Sequence, residues 1–234
     1  MILLALVVAV AVALLVLGFE MFLVLGIPAL MTKEFFYGAL PNAVVAQKIV
    51  GGINHSTLLA IPFFILAGNL MNSAGITNRI FDFAKSCVGW MRGGLGHVNI
   101  GASVIFAGMS GAAVADAGGL GTIEIKAMRD AGYDDEFAVG VTAASSTIGP
   151  IIPPSLPIVI YGVMANASVG QLFAAGFIPG LMMAAALMIM VAWYSHKRGY
   201  PRGARFSLGH LGGSFLRAFP SLMTPTIIIG GILF

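Results

Sequence analysis

The run GPIIPPSLP at 149 to 157 constrains this chain more than any other feature, because apolar, small-residue stretches flank it at 137 to 148 and 158 to 165. Each of Pro150, Pro153 and Pro154 removes a backbone donor, and its ring clashes with the preceding turn of a helix. The residue before each proline is also pushed out of the helical region. Residues 137 to 165 therefore read as one discontinuous membrane helix with an unwound centre. At membrane depth such irregular backbone is tolerated only where protein or a water-filled cavity satisfies it.

The membrane reading rests on composition. Of 234 residues, 59% are hydrophobic and 9% charged, against roughly 25% charged in an ordinary soluble domain. This excludes a disordered chain, a secreted disulfide scaffold and a typical cytosolic enzyme, and points to an all-α polytopic membrane protein. The net charge of +3, from 12 Lys and Arg against 9 Asp and Glu, fits basic loops on the positive side of a bilayer and not nucleic-acid binding. Cys87 is the single cysteine, so no disulfide forms within the chain. His55, His97, His196 and His210 are too scattered for a metal centre.

Residues 2 to 31 are apolar apart from Glu20 and a few glycines. They have neither a basic stretch before them nor a small-residue cleavage site, so they read as a retained membrane segment. A straight helix of that length exceeds the roughly 30 Å hydrocarbon core, so it tilts or breaks near Gly18. Glu20 is read as a carboxylate near that break facing water or protein, with an ion-binding role as the alternative. Residues 33 to 55 form a more polar connection, and 57 to 74 are just long enough to span, with a kink at Pro62. Residues 76 to 92 have the spacing of an amphipathic helix at an interface.

Residues 97 to 109 and 112 to 128 are two half-length apolar segments around a Ser-Gly break, the pattern of a re-entrant helical hairpin. A charged loop covers 129 to 136. Residues 172 to 194 form the cleanest span. The segment 196 to 217 carries His196, Lys197, Arg198, Arg202, Arg205, His210 and Arg217, which places it in the cytoplasm. The turn at 166 to 170 is then external, and both ends of the hairpin share the basic side. The resulting division is 1–55 as scaffold, 56–92 as a membrane helix plus interfacial helix, and 93–165 as a transport unit. A membrane helix at 166–194 and a basic connection leading into a new apolar run at 195–234 complete it.

Broken helices offer backbone carbonyls to small cations and amides to anions at membrane depth. Two candidates follow. One is the hairpin tip, Ser110, Gly111 and Ala112, with Asp116 one turn beyond. The other is the broken loop, Ser145, Ser146, Gly149, Pro150, Pro154 and Ser155. Hydroxyl and carbonyl oxygens are hard ligands suited to sodium. Asp116 either binds an ion or hydrogen-bonds the hairpin into place, and the spacing leaves both open. Small residues also pack helices closely without any site. No cofactor is expected beyond sodium as coupling ion, and no metal site beyond the candidate sodium sites.

Five phrases in order carry a family resemblance: LLAIPFFILAGNLM at 58 to 71, MSGAAVAD at 109 to 116, AGY at 131 to 133, TAASSTIGPIIPPSLPIVIYG at 142 to 162 and LFAAGFIPG at 172 to 180. The chain resembles the large membrane (M) subunit of tripartite ATP-independent periplasmic (TRAP) transporters. The resemblance implies sodium-driven import of an organic acid, such as a C4-dicarboxylate, sialic acid or another sugar acid. It implies a periplasmic substrate-binding protein and a small membrane (Q) subunit as partners, in a bacterial or archaeal inner membrane. It also implies an elevator-type transporter of two inverted repeats, of which this chain would be the N-terminal half. A missing C-terminal half would then complete the site. The family commonly has a second serine where Ala112 stands, and a Gly-x-Pro break where this chain has Gly18-Phe19-Glu20. An ion channel and a non-transporting scaffold subunit are the competing readings. A membrane enzyme would need convergent catalytic groups, and the His and acids are scattered.

Overall fold

A computed structural model describes residues 2–54, 58, 60–203 and 205–233. Twelve α-helices and no strand occur among the described residues. The helices divide into two compact units, residues 1–54 and 55–234.

In the first unit, α1 (Ile2–Val16) and α2 (Met21–Tyr37) pack against each other. The break near Gly18 is a helix stop. Gly18 adopts φ +77°. The Phe19 amide bonds the Leu14 carbonyl at 3.0 Å and the Gly18 amide bonds that of Leu15 at 3.1 Å, which together satisfy carbonyls that the helix end leaves free. Glu20 stands exposed at the start of α2. The expected connection at 33 to 55 is instead largely helical, because α2 runs on to Tyr37 and α3 covers Asn42–Ile53. Its polar residues are accommodated by bonding outward: Lys33 Nζ donates to Glu34 Oε1 at 2.7 Å and to Asn42 Oδ1 at 2.9 Å.

The second unit opens with α4 (Ala60–Ser73). The expected start of this span at Thr57 lies outside the described residues. Pro62 is the third residue of α4, where its missing donor has no helical partner to lose, so the kink expected there has no cause. Helix α5 (Ile76–Val88) is amphipathic as its spacing predicts: Thr77, Ile80, Phe81 and Ala84 are buried, while Arg79, Asp82 and Lys85 are exposed.

The hairpin is present, with one more break than expected. Its first limb, α6 (Gly94–Ser110), is 17 residues long and is followed by Gly111 at φ +58°. It extends past both ends of the expected segment, yet its rise of about 26 Å is still short of a bilayer core of roughly 30 Å. The second limb divides at Gly119 into α7 (Ala113–Gly118) and α8 (Leu120–Asp130). The charged loop shrinks to 131–134, because Asp135 and Glu136 begin α9 (Asp135–Ser146). Acidic residues are favoured there by the helix dipole.

Then come the unwound stretch, α10 (Leu156–Ala165), α11 (Val169–Arg198) and α12 (Leu208–Leu233). Helix α11 has 30 residues and is long and apolar enough to cross a membrane. Ile178, Met182, Ile189 and Trp193 point outward along it at helical spacing.

Helix α6 is the pivot of the core. One side packs Val98, Ala102, Phe106 and Met109 against Ile80, Phe81, Ala84 and Leu120. The other packs Ile100 and Ala107 into a cluster with Phe137, Val141, Ile148 and Val191. A helix apolar all round must be covered all round. Gly96 permits the approach of α11, since a Cβ there would stand 2.8 Å from Val191 Cγ1. The base of the hairpin, the end of α11 and the basic linker lie at one end of this unit. The Gly93 amide bonds the Pro201 carbonyl at 3.1 Å, and Arg198 Nη1 bonds Asp134 Oδ2 at 2.7 Å.

Candidate functional site

The hairpin tip rests directly on the broken loop. The Leu156 amide donates to the Gly111 carbonyl at 3.3 Å. A Cβ on Gly111 would stand 2.4 Å from the Pro154 carbonyl oxygen and 3.1 Å from Ser155 Cα. Only glycine meets both demands at that position, a positive φ and this close approach. Ala112 lies beside Gly149, whose own Cβ would fall 3.6 Å from the Ala112 carbonyl carbon. Pro153–Pro154 is a cis peptide bond.

The candidate residues fall into two groups. Ser155 is a helix cap: it is fully buried, donates to the Pro150 carbonyl at 2.5 Å and accepts from the Ile158 amide at 3.3 Å. Ser145 also has partners, Asn99 Oδ1 at 2.6 Å and the Thr142 carbonyl at 3.0 Å. Ser110 and Asp116 are different. They are 4% and 1% exposed. Neither the Ser110 hydroxyl nor either Asp116 oxygen has a hydrogen-bond partner. The Ser103 and Ser146 hydroxyls lie beside the Asp116 carboxylate. Each hydroxyl also reaches a second oxygen, Ser146 the Thr142 carbonyl at 2.8 Å and Ser103 the Ser145 Oγ at 3.2 Å. Asp116 is therefore a buried acid bordered by the Ser103 and Ser146 hydroxyls. A buried charge left so is costly, and an all-oxygen setting suits a hard cation.

The first amides of α10 have partners within the chain. The Leu156 and Ile158 amides are bonded within the chain, and Pro157 has none. The hairpin tip and the Ser155 cap hold those donors. A cavity of about 260 Å³ opens beside the tip, lined by Ser110, Ala112, Leu156 and Asn69 of α4.

Sequence reasoning passed over the polar chain that supports this site. Asn99 Nδ2 donates to Glu124 Oε2 and to Thr142 Oγ1, both at 2.7 Å. These bonds tie α6 to α8 and α9. A signal was present: Asn99 and Ser103 stand four apart in an apolar limb, and Ser145 and Ser146 follow Thr142 by three and four residues. Each set shares one helix face. Among the described residues no group of three or more His, Cys, Asp or Glu side chains could hold a metal ion.

Comparison with known proteins agrees with this architecture. The family model described as the tripartite ATP-independent periplasmic transporter, DctM component, matches residues 4–234. A sialic acid TRAP transporter large permease of Vibrio cholerae is 61% identical over 187 residues, which is 80% of this chain and 44% of that protein. A sialic acid TRAP transporter permease of Haemophilus influenzae is 57% identical over 80% of this chain and 30% of its own length. A 2,3-diketo-L-gulonate TRAP transporter large permease of Escherichia coli is 42% identical, over 80% of this chain and 44% of its own. The chain thus spans less than half the length of these curated relatives.

Proposed function

Because the chain belongs to the DctM component family of tripartite ATP-independent periplasmic transporters, we propose that it forms part of a sodium-coupled importer of organic acids. The observation that carries the ion assignment is the Asp116 pocket. Two buried groups without partners, Ser110 and Asp116, adjoin a tip and a loop held together by one backbone bond. Sodium entering there supplies the charge that Asp116 lacks. It draws carbonyl and hydroxyl oxygens of the tip and of the 145–150 segment toward one point, which orders both.

The substrate carboxylate then sits in the cavity beside Ser110 and Asn69, attracted by the bound ion. Sialic acid is the first substrate to test, because the 61% and 57% identical relatives carry its name. A periplasmic binding protein delivers it, a small membrane subunit accompanies the permease, and the site is completed by a further part of the subunit. The location is a bacterial inner membrane, crossed several times. The loaded hairpin unit slides against its scaffold as an elevator, while the unit carrying the anion without sodium stays in place. The role is transport and not catalysis.

The test uses the full-length subunit with its small membrane partner in proteoliposomes. Labelled sialic acid is supplied with and without the binding protein under an imposed sodium gradient. Uptake that needs both supports the reading. Ser110→Ala and Ser146→Ala should each raise the sodium concentration needed for half-maximal uptake. Sodium-independent uptake, or an unchanged requirement in both variants, defeats the ion assignment. Solute conduction without coupling would turn the reading into a channel.

A further inference from the structure

At the other end of α6 from the tip lies a cavity of about 690 Å³, between the last turn of α5, the linker at 201–207 and the first part of α12. Four cationic side chains line it, Lys85, Arg202, Arg205 and Arg217, against one carboxylate, Asp82. None of the four forms an ion pair among the described residues. The basic residues elsewhere in this unit that do form ion pairs, Arg129 and Arg198, have Asp135 and Asp134. The cavity is thus a concentration of uncompensated positive charge.

Its walls are built into the fold. Arg92 and Arg202 form an antiparallel bridge, and the Gly93 amide bonds the Pro201 carbonyl at 3.1 Å. Gly203 presses so closely on the end of α5 that a Cβ there would stand 1.9 Å from the Gly89 carbonyl oxygen. Helix α12 is held to α5 through Phe83 and Phe215, with ring centroids 5.9 Å apart. It starts immediately after Ser207 of the lining, so the positive end of its dipole adds to the same field.

The rim is of another kind. Trp90 and Phe206 also line the cavity. They are 49% and 48% exposed and meet edge to face at 6.5 Å. A cationic interior under an exposed aromatic pair fits a ligand with a phosphate at one end and an apolar body at the other. A soluble phosphate would use only the cations. The linker is also the segment whose basic residues assign it to the cytoplasmic face, where anionic lipids create a negative surface potential.

We propose that this cavity binds the headgroup of an anionic phospholipid, with the phosphate held by Lys85, Arg205 and Arg217 and the upper chains passing over Trp90 and Phe206. The bound lipid bridges α5 to the start of α12 and relieves the repulsion among the cations. This inference does not rest on the transport reading.

The test uses the full-length subunit with its small membrane partner, purified and stripped of lipid. Native mass spectrometry and thermal melting are followed with phosphatidylglycerol, phosphatidylcholine and inorganic phosphate at equal concentration. Phosphatidylglycerol should be retained and should raise the melting temperature, and retention should weaken with added salt. Phosphatidylcholine and inorganic phosphate should do neither. A Lys85→Gln, Arg205→Gln, Arg217→Gln variant should retain at least tenfold less phosphatidylglycerol, and Arg205→Gln alone, on an exposed linker, several-fold less. Arg79→Gln with Lys126→Gln, outside the cavity, should retain as much as the parent protein. Equal retention of the two lipids by the parent protein, or undiminished retention in the cavity variants, overturns the proposal. An equal response to inorganic phosphate overturns the lipid and makes the cavity a site for soluble phosphates.

Discussion

Replacing Gly111 by alanine perturbs the contact between hairpin tip and broken loop and little else. Gly111 adopts φ +58°, and a residue with a Cβ held there costs roughly 1–2 kcal/mol. The new Cβ would stand 2.4 Å from the Pro154 carbonyl oxygen. That is far inside van der Waals contact, and the obstacle is backbone, so tip and loop must part. Parting breaks the 3.3 Å bond from the Leu156 amide to the Gly111 carbonyl, worth about 1 kcal/mol. The two terms give about 2–3 kcal/mol against the closed arrangement, or about 30- to 150-fold in an equilibrium constant. If sodium binds the closed arrangement, the half-maximal sodium concentration for uptake in proteoliposomes rises by that factor. Gly132→Ala is the control: its φ is +81° but a Cβ there meets nothing within 4 Å. It carries the strain without the collision and lies outside the site. Equal sodium dependence in the two variants would refute the reasoning, because the collision would then have no bearing on the ion.

Asp116→Asn should abolish the response of uptake to sodium while keeping the protein folded, since a neutral amide of the same shape removes the charge that attracts the ion; a normal sodium titration of the purified variant would count against the pocket. Gly180→Val should lower the melting temperature by several degrees, because even a Cβ there would stand 2.4 Å from Ile152 Cγ1 and overpacking costs about 1–3 kcal/mol. Gly212→Val, where a Cβ meets nothing within 4 Å, should leave it nearly unchanged. Asn99→Ala should destabilise by about 1–3 kcal/mol, because Glu124 and Thr142 each lose a buried donor, and hydrogen exchange in α8 should rise. The Tyr200 hydroxyl and Arg198, each 2.7 Å from Asp134 Oδ2, hold the Asp134 carboxyl below its usual range. A depressed value means that this contact is fully present at neutral pH and is lost as pH falls through the lowered value. Exchange protection at 131–134 should therefore be flat from pH 8 to 5 and should drop at neutral pH in Asp134→Asn.

Much of the architecture follows from local chemistry and was legible without coordinates. Prolines at 150, 153 and 154 forbid a continuous helix wherever they are placed. Gly18 stops α1, and the spacing of Thr77, Ile80, Phe81 and Ala84 sets the buried face of α5. The Ser110-Gly111 turn joins two limbs each too short to span. Family membership was legible too, because its phrases are contiguous in the chain. Helix limits were less so. The segment at 33–55 reads as polar, yet α2 and α3 occupy most of it, since Lys33 and its partners are satisfied outside the helix faces. Pro62 reads as a kink but falls in a first turn, where it disturbs nothing.

The sequence by itself determined where backbone is broken and which small and hydroxyl residues lie at the breaks, because bond geometry and helix periodicity act over a few residues. Only the tertiary structure decided what those residues do. It made Ser145 a link to Asn99 and buried Ser110 and Asp116. It laid Gly111 on the start of α10, and it gathered Lys85, Arg202, Arg205 and Arg217 around one cavity. Those outcomes depend on contacts between residues far apart in the chain, as with Ser145 and Asn99, 46 positions apart, and whether a polar group is satisfied or orphaned is settled only when its distant neighbours arrive.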